Sequence, residues 1–297
     1  MLLSRLRGSR RLTAEALSSF FGIPASASWV VKLQTEITLL LRPIYDELVA
    51  TLPRLLWVNA DETPYKESQL KSWLWAVRSE HFTVFAICPN RKDDHIQSLL
   101  GADFTGTVMC DRAKMYLGFE TIQWCWAHLR RDFVALSDTH PSINSIGQEL
   151  VDLTDELFSY WHLFRGGTLT RAALQESLAE LRVRVEDALA RGTSSEHSLI
   201  AGRCRSILTR PEALWVFAST EGVEPTNNAA ERAIRPLVIL RKLSYGTQSA
   251  AGSRFVETAQ TILETCRQQG RNAFEFITDA LTKARRQDPL PSLIPDV

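Results

Sequence analysis

The chain has 297 residues, 45% of them apolar and 23% charged, an ordinary globular composition with enough apolar mass for a substantial core. Its 34 basic and 34 acidic residues cancel, so only local clusters, such as Arg5, Arg7, Arg10 and Arg11, could attract a polyanion. No apolar run reaches the roughly 18 residues of a membrane span, MLLSRLRGSRR lacks a signal-peptide core, and the five cysteines form no CxxC pair; together these argue against a membrane protein, an exported disulfide scaffold and a zinc ribbon, and for a reducing cytosol.

Residues 1–50 read as helical. An amphipathic stretch from Leu12 to Phe21 meets Gly22-Ile23-Pro24, and a second runs from Val30 to Val49 with Pro43 expected to kink or split it. Two helices around a Gly-containing turn are compatible with a helix-turn-helix or with a plain helical hairpin. The period then changes. Short apolar runs at Leu55–Val58, Ser72–Arg78, Phe82–Cys88, Thr107–Cys110 and Thr121–Trp124 predict five strands, with helix near Asp94–Leu100. Three antiparallel strands followed by strand-helix-strand units predict a mixed five-stranded α/β sheet flanked by helices. From 126 to 222 the spacing is helical, notably Glu149–Phe164 and Arg171–Ala190. A short helix is expected near 227–235, ended or kinked by Pro236; a Gly/Ser loop at 246–253, helices near 254–268 and 272–286, and a proline-bearing tail follow. The resulting segmentation is 1–52 helical, 53–135 first part of the core, 136–222 helical insertion, 223–286 remainder of the core and 287–297 tail.

Asp61 and Asp111 each follow a short apolar strand, at strand ends of the kind where open α/β sheets gather ligands. Two carboxylates in one crevice repel each other unless a divalent cation joins them. Hard oxygen ligands favour Mg²⁺ or Mn²⁺, and two such ions suit phosphoryl transfer. Glu231 is the candidate third ligand. Each also has a structural explanation: turn aspartates for the first two, and for Glu231 a capping box with Asn228 as N-cap. Ala230, Ala233, Ile234 and Leu237 form an apolar stripe that would lay this helix on a sheet, while Arg232 and Arg235 suit phosphate contacts or a solvated face. In CWAHLRRDF, Cys125 and His128 could share a helix face without a second pair to complete a zinc site. His128, Arg130 and Arg131 are candidate DNA contacts.

The strings WVNADETPY, FTGTV leading into CDRAKMY, CWAHLRRDF, TNNAAERAIRPLVILRK and GTQSAAG, in this order, resemble the insertion-sequence-66 family of bacterial transposases over roughly residues 10 to 280. The resemblance implies a DDE transposase with a ribonuclease-H-like core and an all-helical insertion before the last catalytic residue. It places the catalytic, metal-holding set on Asp61, Asp111 and Glu231, with two Mg²⁺ or Mn²⁺ ions, and implies cleavage and strand transfer at insertion-sequence ends in the bacterial cytoplasm. Implied partners are double-stranded DNA at transposon ends and target, a second copy of the chain, and small accessory proteins. DNA contacts are expected from His128, Arg130, Arg131, Asn228, Arg232, Arg235, Arg241 and Lys242. Departures exist: the family's Asp-Gly-Tyr is Asp111-Arg112-Ala113 here, Leu240-Arg241-Lys242-Leu243 replaces Gly-Arg-Lys-Asn, and the family's longer amino-terminal region is absent from this sequence. A truncated or domesticated relative that binds DNA or partner subunits without cutting is the alternative expectation.

Overall fold

The computed structural model describes residues 8–138 and 144–295; Arg5 and Arg7 of the basic cluster, and part of the expected helical stretch, lie outside them. Helices α1 (Arg10–Phe21) and α2 (Ala27–Thr51) precede strands β1 (Trp57–Glu67), β2 (Leu70–Arg78) and β3 (Thr83–Cys88), and helix α3 (Asp93–Leu100) follows. Next come β4 (Thr107–Cys110), β5 (Thr121–Trp124) and helices α4 (Trp126–Ser137), α5 (Asn144–Arg165), α6 (Arg171–Thr193), α7 (Ser198–Leu208) and α8 (Val216–Ser219). Helices α9 (Asn228–Ser244), α10 (Ala250–Gln268) and α11 (Ala273–Arg286) complete the chain. The five strands take the sheet order β3-β2-β1-β4-β5, with antiparallel β1–β2 and β2–β3 ladders and a parallel β4–β5 pair. This mixed sheet flanked by helices is the predicted fold class and is consistent with a ribonuclease-H-like core. Among the described residues no helix is long and apolar enough to cross a membrane.

Two compact units make up the chain: Met1–Gly106 with Asn228–Val297, and Thr107–Asn227. In the first, one face of the β1–β3 sheet carries Tyr65, Leu74, Ala76 and Phe85, and these pack with Ala233, Ile234 and Leu237 of α9 and Val256 of α10. The ends of α1 and α2 follow local rules. Ser9 caps α1 by accepting the Leu12 N–H, Gly22 closes it with a left-handed φ of 63°, and Ser26 caps α2 by accepting the Trp29 N–H. In the second unit, β4 and β5 lie beside α4–α8. The Gln123 side chain accepts the Phe217 N–H (2.8 Å), and the Trp126 indole donates to the Leu214 carbonyl (2.7 Å), tying β5 and α4 to the segment around α8.

The outer strand β3 is protected by a device that joins two periodicities. Its N–H groups at Thr83, Phe85 and Ile87 donate to Thr265 Oγ1, Thr261 Oγ1 and Glu257 Oε1 of α10, at 3.2, 2.9 and 2.8 Å. Two strand residues advance about 6.7 Å and four helix residues about 6 Å, so alternate strand donors meet every fourth helix residue. The row satisfies an edge that would otherwise invite another strand. The Thr261→Val variant keeps the shape but orphans the buried Phe85 N–H. Chemical denaturation should show a loss of about 1–3 kcal/mol; an unchanged midpoint would mean that this bond contributes nothing.

Three sequence expectations need correction. β1 does not stop at Val58: it continues to Glu67, so Asp61 sits mid-strand instead of beyond a strand end. Beyond Asp61 the burial alternates, with Pro64 exposed while its neighbours Thr63 and Tyr65 are buried, the pattern of a strand with one face packed. Neither Pro43 nor Pro236 ends its helix; α2 and α9 run through them. Both prolines lie on exposed faces, where water can satisfy the carbonyl that each deprives of its donor. Finally, Asn228 is the first helical residue of α9, which puts Glu231 at the fourth position, one beyond the register of a capping box.

Candidate active site

In the first unit, β1 and α9 set the positions of Asp61 and Glu231. Alternate residues of a strand share a face, so Asp61, Thr63 and Tyr65 project to the same side. Tyr65 belongs to the cluster beneath α9, and so does Ala76, the cross-strand partner of Asp61. The Asp61 carboxylate therefore leaves the sheet on the face that α9 covers. It is half-buried, and its Oδ1 accepts the N–H of Glu62 (2.9 Å), which fixes its orientation.

Helix α9 lies down on the sheet because Ala230, Ala233, Ile234 and Leu237 form the apolar stripe expected from the sequence, and all four are buried. Glu231 borders that stripe, one turn before Ile234. It is half-buried, with Oε1 shielded from solvent. Further along, the Arg241 guanidinium donates to the Pro64 carbonyl, so α9 advances beside β1 toward the β1–β2 turn. Glu231 lies about 15 Å of helix before Arg241, and Asp61 lies about 10 Å of strand before Pro64. The amino-terminal turn of α9 is thus directed toward the Asp61 end of the strand. Arg232, Arg235 and Lys242 are exposed along this helix, and Asn228 is half-buried at its start. The neighbouring Glu62 points to the opposite sheet face, where Arg91 pairs with it and lies over the Trp73 ring at 4.9 Å.

In the second unit, Asp111 directly follows β4. Its Oδ1 accepts the Ala113 N–H (2.8 Å), so one oxygen secures the turn while the residue stays half-buried. Arg112 pairs with Asp132 of α4, whose other oxygen holds Arg203 at 2.8 Å. That network stiffens the segment behind Asp111, and no local sequence pattern signals it. Cys125 immediately precedes α4 and accepts the Asn227 N–H (3.2 Å), while the Trp126 N–H donates to the Pro225 carbonyl (2.8 Å). His128 is half-buried on the first turn and Arg131 is exposed. Arg130 donates to both oxygens of Asp155, at 2.6 and 2.9 Å, tying α4 to α5. Those bonds hold the Asp155 carboxyl below its usual range and raise Arg130.

The family model for the IS66 family of transposases matches residues 10–254, most of the chain. The chain belongs to the IS66 transposase family. Two proteins of Sinorhizobium fredii (strain NBRC 101917 / NGR234) align along most of it. The protein y4qI, described as uncharacterized, is 29% identical over 305 residues, covering 91% of this chain and 55% of the relative. A second, y4hP, also described as uncharacterized, is 25% identical over 301 residues, covering 88% of this chain and 54% of the relative. The chain therefore spans about half the length of the curated relatives it matches.

Proposed function

We propose that this IS66-family chain is a DDE transposase that cleaves DNA at the ends of its element and joins the freed 3′ ends to target DNA. The observation that carries the reading is the placement of Asp61 on the sheet face covered by α9 and of Glu231 on the turn of α9 directed toward it. Asp111 is the third member of the set. The donor set is all carboxylate oxygen, the chemistry of Mg²⁺ or Mn²⁺ sites, and two of its members are held by backbone N–H bonds that need no rearrangement. Bound there, two such cations would supply charge neutralisation for an in-line displacement at phosphorus.

Asp61 and Asp111 act in this reading as rigid oxygen donors, because Glu62 and Ala113 N–H groups fix one oxygen of each carboxylate. Glu231 completes the set from a helix whose position is set by alanine packing. In the first step a water oxygen bonds to the scissile phosphorus while the bond from phosphorus to the 3′ oxygen breaks. The water's proton passes to solvent, the 5′ end of the released strand keeps the phosphate, and the 3′ oxygen leaves as a hydroxyl. In the second step that hydroxyl attacks a target phosphodiester, loses its proton to solvent, and displaces a second 3′ oxygen, so one diester replaces another. Asn228, Arg232, Arg235, Arg241 and Lys242 on α9, with His128, Arg130 and Arg131 on α4, are the proposed DNA contacts. Arg130 must exchange Asp155 for a phosphate to take part. Double-stranded DNA, a second copy of the chain and small accessory proteins of the element are the proposed partners.

The test is a cleavage and joining assay on end-labelled element termini with a supercoiled target. Mg²⁺ or Mn²⁺ should support both steps, and EDTA should stop both. Cleavage without any joined product would reduce the reading to a nuclease. Activity that persists in EDTA would remove the two-cation mechanism.

A further inference from the structure

Beside the β1–β2 turn lies a cleft of about 340 Å³, lined by Lys66, Lys71, Trp73, Arg241, Lys242 and Tyr245 among others, with no acidic residue in its lining. Lys66 and Lys71 are directly opposite each other across the ladder, an arrangement that repels and weakens a hairpin unless an anion lies between the two. None of Lys66, Lys71 and Lys242 forms an ion pair with a carboxylate among the described residues. Tyr245 is 79% exposed and sits at a left-handed φ of 57°, a conformation a bulky residue adopts only when its surroundings impose it.

The surroundings do impose it. Thr247 N–H donates to the Lys66 carbonyl (3.0 Å), and Ser68 N–H donates to the Thr247 carbonyl (2.6 Å). Gly246 approaches so closely that a Cβ there would collide with the Lys66 carbonyl oxygen. The chain leaving α9 is thus stitched to the hairpin tip, holding an aromatic ring in solvent above a cationic floor.

We propose that this cleft binds an unpaired nucleotide of a DNA strand, with its base stacked on Tyr245 and its flanking phosphates on Lys66, Lys71 and Lys242. The proposal rests on the reading of the chain as a DNA-joining enzyme and adds a subsite outside its carboxylate set. Only an unpaired base offers its face to an aromatic ring, since duplex bases are stacked on one another; a cationic groove with an aromatic platform is the recurrent arrangement for single strands. A cut end that frays presents unpaired bases, so the ligand belongs to the same reaction.

The experiment measures anisotropy of a fluorescent 15-nucleotide oligodeoxythymidine, with a blunt 15-base-pair duplex for comparison, on the full chain in EDTA. Tyr245→Ala should weaken single-strand binding about tenfold or more and duplex binding little, whereas Tyr245→Phe should bind as wild type. Lys66→Ala/Lys71→Ala should flatten the dependence of log affinity on log salt by about 1.4, two phosphate contacts' worth. Its melting temperature should hold or rise, since the like-charge pair is gone. Wild-type affinity in Tyr245→Ala, an equal loss on duplex and single strand, or no single-strand binding by the wild type would each overturn the proposal. EDTA keeps cleavage out of the assay, so loss of the catalytic reading would register only in the joining assay.

Discussion

Asp61→Asn and Glu231→Gln should each lower end cleavage by roughly 10³-fold or more, and the double variant should be little worse than either single one. Residues that hold one cation pair act as a unit, so removing any member forfeits most of what the set provides. The fold should not suffer. Asn at position 61 keeps an Oδ1 to accept the Glu62 N–H, and Glu231 sits beside, not within, the buried stripe of α9. On the proposed reading, removing a negative charge from the carboxylate set should leave the melting temperature in EDTA unchanged or slightly raised, the usual relation between a catalytic constellation and stability. Cleavage of labelled ends and thermal denaturation, run on the same preparations, check both halves. Wild-type cleavage by Glu231→Gln would remove Glu231 from the set. A falling melting temperature parallel to activity would instead assign both residues a structural role.

Much of this arrangement could be read from the sequence where local patterning decides the outcome. The five strands follow from short apolar runs, and the buried stripe of α9 follows from the spacing of Ala230, Ala233, Ile234 and Leu237. The sequence was misleading where a local rule met tertiary context. Pro64, Pro43 and Pro236 each signal a break, but each faces solvent, where the lost backbone bond costs least. Asp61 reads as a residue at a strand end because the apolar run before it stops at Val58. Pairing that spans most of the chain left no local trace: Thr261 and Thr265 satisfy an edge strand some 180 residues earlier, and Thr247 clasps the hairpin tip at Lys66 and Ser68. The cleft under Tyr245 was missed for the same reason. Its lysines come from the hairpin and its tyrosine from the end of α9, and the only hint was the run of basic residues continuing to Arg241 and Lys242.

Ala233→Leu should lower cleavage by about 10²-fold or more while the protein stays folded, because the distance of Glu231 from the sheet is set by small side chains. Ala230 and Ala233 are 0% and 1% exposed, and Ala233 touches the sheet through the cluster of Tyr65, Leu74, Ala76 and Phe85. Close-packed interiors do not absorb three added carbons without moving something. The central strands are fixed by ladders on both sides, and Arg241 and Gly246 pin the far end of α9, so the added bulk must shift the helix at the turns that carry Ala233 and Glu231. Overpacking should cost about 1–3 kcal/mol. Ala233→Gly provides the control: it loses about 1 kcal/mol through helix propensity but keeps the spacing, so its cleavage rate should stay near wild type. If both variants lose activity in proportion to stability, helix height is not the lever. If only the leucine variant loses it, the alanine stripe is what positions the last carboxylate of the set, and packing beneath α9 becomes part of the catalytic machinery.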